Sequence, residues 1–261
     1  MKLRITTLVL CLILCLLYER SVDSVRVQGG NVPIVDVSFE RVSQPMQQLL
    51  LQGQGSVDSV KAPVIGFAAA TIVAERPESA LMNFTADALL SQARVCCGEE
   101  IDVAIANKGG LRSEINEGVI TYGDIYNVYP FENNLVTLTL NGQQMLSLFD
   151  EIARVGGEAI SGARMEIVCA GDSAYCGALV VGGSDVREKG DDWKLREYRI
   201  VTISYLAQGN DGLSTLAQAY DKREYGITLR QLMVDYISAL QKQGKPVDAN
   251  VDGRVRKIVL E

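Results

Sequence analysis

The sequence contains no histidine. Imidazole is the commonest metal ligand and the usual acid–base group at neutral pH, so this chain alone cannot build the histidine-ligated metal centre of a metal-dependent phosphohydrolase. Positive charge is also scarce, because 25 basic residues against 32 acidic ones leave a net charge of −7. That balance disfavours binding to nucleic-acid polymers. We therefore expect a small ligand or a protein partner.

A hydrophobic run from Ile5 to Leu17 follows the basic start Met1 to Arg4. The pattern is typical of a secretory signal peptide, and the run is shorter than the about 20 residues of a membrane-spanning helix. We expect residues 1–20 to be a signal peptide or a retained membrane anchor, and the protein to be exported to the periplasm or the cell surface. Lipid attachment to a cysteine of this run is an alternative.

Four cysteines lie beyond this segment, and no two of them form a CxxC pair. Cys169 and Cys176 flank a Gly-Asp-Ser turn, which predicts a hairpin that a disulfide closes. The alternative is that all four cysteines have only a structural role.

Residues 21–61 are rich in Gln, Ser, Gly and Val without a sustained period, which predicts a linker or N-terminal extension. Residues 62–261 have the apolar periodicity of a globular domain. Strands and helices alternate irregularly, which favours an α+β fold: a single domain of mixed sheet with flanking helices. Helices are predicted over 79–95, 143–155 and 228–241, strands over 63–73, 101–106, 135–140, 197–204 and 255–260, and a strand pair over 163–181.

The first polar segment with chemical potential begins at Asn107, directly after a predicted buried strand. Gly109 and Gly110 allow the backbone to approach a ligand closely, and Arg112 supplies a planar fork of donors for a hydroxyl, phosphate or carboxylate. A tight loop with a surface arginine is the alternative.

Two further segments contain aromatic residues. Phe131 follows a proline in a polar stretch, and Tyr205 precedes a Gly-Asn-Asp-Gly loop that contains Asp211. Together the two rings are suited to hold a planar base between them, and Asp211 is suited to accept hydrogen bonds from vicinal hydroxyls. The three segments therefore predict a nucleoside site, against the alternative of a core phenylalanine and a polar turn.

In this order the segments resemble the C-terminal domain of the 5'-nucleotidase family, whose pattern is N-x-G-G-I-R, then P-F-x-N, then an aromatic strand end running into G-G-D-G. The resemblance covers roughly Pro63 to Glu261. It implies that Phe131 and Tyr205 sandwich the base and that Asp211 binds the ribose hydroxyls. It also implies that Asn107, Arg112 and Asn133 hold sugar, base or phosphate edges.

The chain departs from the family pattern at a few positions. Tyr205 replaces a phenylalanine, Asn210 replaces a glycine, and Arg76 is shifted by one residue within an R-x-x-E-S-like stretch, so we do not assign Arg76 to the site. The candidate substrate-binding residues are Asn107, Gly109, Gly110, Arg112, Phe131, Asn133, Tyr205 and Asp211.

In the family, hydrolysis belongs to a separate metallophosphoesterase domain whose two metals are held largely by histidine and aspartate. Because the sequence has no histidine and only roughly 60 residues before Pro63, we expect it not to include that domain. We expect the nucleotide- or nucleoside-recognition subunit of a split 5'-nucleotidase in nucleotide catabolism, with no catalytic residue, metal or cofactor of its own. A partner metallophosphoesterase chain would supply divalent metals. The alternatives are a stand-alone nucleoside- or nucleotide-binding protein and a surface protein that has lost its ligand.

Overall fold

The computed structural model describes residues 44–48, 63–188, 190 and 192–260. The expected leader, residues 1–20, lies outside these ranges, as does all of the expected linker except residues 44–48, which form a short helical segment. No helix within the described ranges is long and apolar enough to cross a membrane.

The strands and helices below lie among the described residues from 63 onward. The strands are β1 (Val64–Ala68), β2 (Val103–Ala106), β3 (Gly118–Thr121), β4 (Asn134–Asn141), β5 (Ala159–Ser161), β6 (Ala163–Ala170), β7 (Ser173–Val181), β8 (Ser184–Asp185), β9 (Glu197–Ile203), β10 (Tyr220–Thr228) and β11 (Val255–Leu260). The α-helices are α1 (Ala80–Cys97), α2 (Tyr122–Val128), α3 (Gly142–Arg154), α4 (Ser204–Ala207) and α5 (Leu229–Lys242).

The central sheet has the strand order β10-β4-β9-β2-β5. β2 and β9 are parallel, whereas the β10–β4, β4–β9 and β2–β5 pairs are antiparallel. Every residue of β2 is buried, as expected for a strand in the interior of a covered sheet. The mixed sheet with flanking helices confirms the predicted α+β fold.

Helix α3 illustrates how the local sequence determines an element. The side chain of Asn141 accepts a 2.9 Å hydrogen bond from the backbone N–H of Gln144, and the Gln144 side chain accepts one from the Asn141 N–H, which completes a capping box. The helix ends before Gly156 and Gly157, whose φ values of 85° and 108° are accessible mainly to glycine. The four predicted inward residues are fully buried: Met145, Leu148, Phe149 and Ile152.

A second sheet has the order β11-β6-β7-β8. The predicted hairpin is present as β6 and β7, but the predicted disulfide is wrong, because Cys169 and Cys176 are both free thiols. Cys169 lies opposite Ala174, and Cys176 lies opposite Ile167. The two cysteines are thus diagonal neighbours, about 7–8 Å apart in such a ladder, beyond the usual Cα separation of a disulfide.

Candidate functional site

Three adjacent strands of the central sheet bring the candidate segments together. β2 ends at Ala106, its parallel neighbour β9 ends at Ile203, and the antiparallel β4 begins at Asn134. The chain leaving β2, the chain leaving β9 and the chain entering β4 therefore meet at one edge of the sheet. This topology explains why segments far apart in sequence form one site.

A cavity of about 320 Å³ opens at this edge, within the size range of small-molecule sites. It is lined by the eight residues that were predicted from the sequence to bind substrate: Asn107, Gly109, Gly110, Arg112, Phe131, Asn133, Tyr205 and Asp211. The structure thus brings all eight candidates together, while their roles toward a ligand stay predictions.

The two aromatic side chains are exposed at the cavity. Phe131 lies in the loop between α2 and β4 and is 48% exposed, and Tyr205 in α4 is 39% exposed. The alternative that Phe131 is a core residue is therefore wrong. Large aromatic surface in contact with water is free to gain burial energy from a planar ligand.

Asp211 is held on both carboxylate oxygens. The Tyr205 hydroxyl donates to Oδ1 at 2.8 Å, and the Asn107 side-chain amide donates to Oδ2 at 2.6 Å. The hydrogen bond to Asp211 raises the pKa of Tyr205. Asp211 has a φ of 55°, in the left-handed region that is uncommon for residues other than glycine. A strained backbone and two donors thus fix the orientation of the carboxylate.

The turn after β2 is a 3₁₀ helix over Lys108–Gly110. A Cβ atom on Gly110 would lie 2.8 Å from Oδ1 of Asn107, so a larger residue here would displace the side chain that binds Asp211. On Gly109 a Cβ atom would make only ordinary contact, 3.4 Å from Asp211 Oδ2. Gly110 is therefore the glycine that the geometry requires.

Arg112 is exposed at the cavity. Its Nη1 donates to the Gly109 carbonyl at 3.3 Å, while its backbone N–H donates to the Val128 carbonyl at 3.0 Å. The backbone is anchored to α2, and most of the guanidinium fork still faces solvent. This arrangement suits the binding of an anionic or hydroxyl group of a ligand.

Glu158 is a supporting residue that sequence reasoning missed. Glu158 is 1% exposed, and its carboxylate accepts hydrogen bonds from the backbone N–H of Lys108 and from Arg76. Burial raises the pKa of Glu158, and the Lys108 N–H and the Arg76 guanidinium oppose this shift. Arg76 also donates to the Gly157 carbonyl at 2.7 Å. Glu158 therefore stabilises the 108–110 turn through a partly buried hydrogen bond to its first residue. Arg76 contacts Glu158 and does not line the cavity.

Arg230 is a second supporting residue that the sequence did not reveal. It lies at the start of α5 and is 7% exposed. Its Nη1 donates to the carbonyls of Tyr129 and Pro130 at 3.1 and 3.2 Å, and its Nη2 donates to the Glu132 carboxylate. These acceptors flank Phe131 on both sides, so Arg230 anchors the loop that presents the aromatic ring.

The described part of the chain contains no group of three or more His, Cys, Asp or Glu side chains that could hold a metal ion. The residues at the site therefore do not fit the two-metal centre that the resemblance associates with hydrolysis. We assign no hydrolytic step to them.

The chain is similar in sequence to proteins named as nucleotidases or phosphoesterases. The chain is 26% identical to the trifunctional nucleotide phosphoesterase protein YfkN of Bacillus subtilis over 249 residues, 90% of this chain and 17% of that protein. It is 29% identical to a probable 5'-nucleotidase of Treponema pallidum over 161 residues, 58% of this chain and 27% of that protein. The chain thus spans only a minor part of the length of these relatives.

Solved structures show the same relationship. A 5'-nucleotidase precursor from Thermus thermophilus superposes with a TM-score of 0.68 at 28% identity, covering 81% of this chain and 43% of that one. The NAD nucleotidase of Haemophilus influenzae superposes with a TM-score of 0.63 at 17% identity, covering 84% and 42%, and shares the fold. The profile of the family described as "5'-nucleotidase, C-terminal domain" matches residues 60–218. Since that match spans more than half of the chain, the protein belongs to the 5'-nucleotidase C-terminal domain family.

Proposed function

We propose that this chain is the nucleotide- or nucleoside-recognition subunit of a split 5'-nucleotidase in nucleotide catabolism, and that a separate metallophosphoesterase chain performs the hydrolysis. The observation that carries the proposal is the convergence of eight residues from three distant segments on one cavity. Membership of the family supports a role in nucleotide processing.

The cavity has groups suited to each part of a nucleotide. The half-exposed rings of Phe131 and Tyr205 offer stacking surfaces, and stacking of a base on an aromatic side chain contributes about 1–3 kcal/mol. The fixed carboxylate of Asp211 is an acceptor for sugar hydroxyls. Arg112 supplies the positive charge that a phosphate requires.

Two observations support the proposal of a second chain. The relatives are named as nucleotidases or phosphoesterases and are several times longer than their matched segments. This chain has no histidine, whereas hydrolysis at a two-metal centre needs a full set of ligands. We therefore propose that divalent metals are held by the partner.

Reconstitution tests the split enzyme. A cognate metallophosphoesterase is assayed for AMP hydrolysis alone, with this protein, and with the Phe131→Ala variant. We expect this protein to increase the rate and Phe131→Ala to remove most of the increase. Phe67→Ala is a matched control, because Phe67 is 47% exposed and does not line the cavity. Equal rates in all mixtures would contradict the proposal.

A second candidate is a stand-alone nucleoside- or nucleotide-binding protein. It is favoured by the presence of stacking rings, an acceptor carboxylate and a cation on one chain. Calorimetry with the isolated chain separates the two candidates. Micromolar affinity for a nucleoside supports the stand-alone protein, whereas millimolar affinity that tightens when the partner is added supports a shared site.

We also propose that the protein is exported, on the basis of residues 1–20. Expression of the intact sequence, followed by cell fractionation and N-terminal sequencing of the product, tests this. Recovery only in the cytosol with Met1 or Lys2 at the N terminus would exclude export.

A further inference from the structure

The hydrogen bonds of Asp211 leave a defined acceptor pattern. A carboxylate has about four acceptor positions, two on each oxygen. The Tyr205 hydroxyl occupies one position on Oδ1, and the Asn107 amide occupies one on Oδ2. One position therefore remains on each oxygen, and the carboxylate cannot rotate without breaking a bond. Two adjacent acceptors match two adjacent hydroxyl donors.

Tyr205 contributes in two separable ways. The residue is 39% exposed and lines the cavity, while its hydroxyl donates to Asp211 at 2.8 Å. A phenylalanine, which the family pattern has at this position, would keep the stacking face and lose the bond to the carboxylate. Asp211 would then be held by Asn107 alone.

Building on the proposed nucleoside site, we propose that Tyr205 is a specificity-determining residue for the sugar. Its hydroxyl fixes the Asp211 carboxylate in the rotation that accepts from both hydroxyls of a vicinal diol. The site thereby selects ribonucleosides over nucleosides that lack the 2'- and 3'-hydroxyls. Tyr205 acts on this choice through Asp211 and not through its ring.

The expected size of the selection follows from the hydrogen bonds at stake. A hydrogen bond to a charged group changes affinity by about tenfold or more. Because Asp211 is exposed to solvent, we expect the affinity change at this site to be near tenfold and not larger. We expect the wild-type chain to prefer adenosine over 2',3'-dideoxyadenosine by about tenfold. In Tyr205→Phe we expect this preference to fall by about threefold or more, because the Asn107 amide alone then holds the carboxylate.

The test is a titration of wild-type protein and Tyr205→Phe with both nucleosides, by calorimetry or by NMR at millimolar ligand. The affinity for dideoxyadenosine is expected to stay unchanged in Tyr205→Phe, because the ring is retained. Tyr220→Phe is a matched control: Tyr220 is 41% exposed, its hydroxyl donates to Glu197 at 2.8 Å, and it does not line the cavity. It should keep the full preference for adenosine. Thermal denaturation verifies that both variants are folded.

Each outcome decides between the two proposals. If the wild-type chain binds neither nucleoside at millimolar concentration, the nucleoside site is wrong and the role of Tyr205 is lost with it. If it binds adenosine but Tyr205→Phe keeps the preference, or weakens both ligands equally, only the role of the Tyr205 hydroxyl is overturned.

Discussion

The guanidinium of Arg230 donates a 3.1 Å hydrogen bond to the main-chain carbonyl of Tyr129, two residues before Phe131. This buried cation also binds the carbonyl of Pro130 and the carboxylate of Glu132. A half-exposed ring at the cavity is thus positioned by a charged group that does not itself line it. The placement of Phe131 depends on α5 as much as on its own loop.

Arg230→Lys is expected to lower the affinity for adenosine by about tenfold, because an ammonium group lacks the planar fork that reaches several acceptors at once. Calorimetry measures the affinity, and thermal denaturation measures the accompanying loss of stability. Arg254→Lys is the matched control, since the Arg254 guanidinium is also largely buried and binds Asp87 and Asp252 away from the cavity. It should lose stability without losing affinity, and equal loss of affinity in both variants would refute the positioning role.

Phe131→Ala is expected to weaken adenosine binding by about 1–3 kcal/mol, the contribution of one base–aromatic stack. Its stability should change little, because the side chain is 48% exposed. Calorimetry with adenosine and with ribose separates base recognition from sugar recognition. Phe67→Ala should bind both like the wild-type protein; an unchanged adenosine affinity in Phe131→Ala would exclude stacking at this position.

Glu158→Gln is expected to lower the free energy of unfolding by about 1–3 kcal/mol. The Arg76 guanidinium donates to Oε1 and the Lys108 N–H donates to Oε2, and a glutamine replaces one of these oxygens with an NH2 group that cannot accept. The turn that positions Asn107 should shift, so adenosine affinity falls as well.

Glu151→Gln is the matched control for this change. Glu151 is also buried, at 7% exposure, and accepts from the Ser214 hydroxyl and the Thr215 N–H outside the cavity. Denaturant unfolding should show a similar loss of stability in both variants. A loss of adenosine affinity in Glu151→Gln as large as that in Glu158→Gln would show that the effect is not local to the turn.

The pKa of Glu158 predicts a dependence of stability on pH. Burial raises this pKa above the ordinary value of 4.5, so the folded state binds the proton more tightly than the unfolded state does. The resulting stabilisation is fully present below pH 4.5 and is lost as the pH rises through the raised pKa. The unfolding free energy of the wild-type protein, minus that of Glu158→Gln, should therefore fall as the pH rises above 4.5. A constant or rising difference would contradict the assignment.

Much of the fold was predictable because several helices and strands have clear local sequence patterns. Helix α3 has a complete apolar face and a capping box, so the bounds predicted for it are close to those observed. The last strand, β11, has the bounds that were predicted for it. The Ser79 start of α1 was placed correctly, but its hydroxyl has no hydrogen-bond partner among the described residues. β10 was missed, because its charged, mostly exposed residues at the sheet edge lack an alternating pattern.

The cavity-lining residues were predictable because glycine turns, loop aromatics and their order along the chain are local signals. Glu158 and Arg230 were not, because their roles depend on which distant backbone atoms the fold places beside them. Glu158 follows two glycines and reaches Lys108 only when β5 pairs with β2. Arg230 has one local signal, a single basic residue beside Leu229 in the first turn of α5, and this does not identify what it binds.

The parallel pairing of β2 with β9 has a consequence for how the protein folds. Val103 pairs with Ile200 across roughly a hundred intervening positions, and such non-local contacts form slowly because a long loop must close first. The cavity exists only after this closure, so a nucleoside that binds there recognises the completed sheet and not its precursors. Such a ligand would leave the folding rate unchanged and lower the unfolding rate. Its stabilising effect would therefore appear as a longer lifetime of the native state.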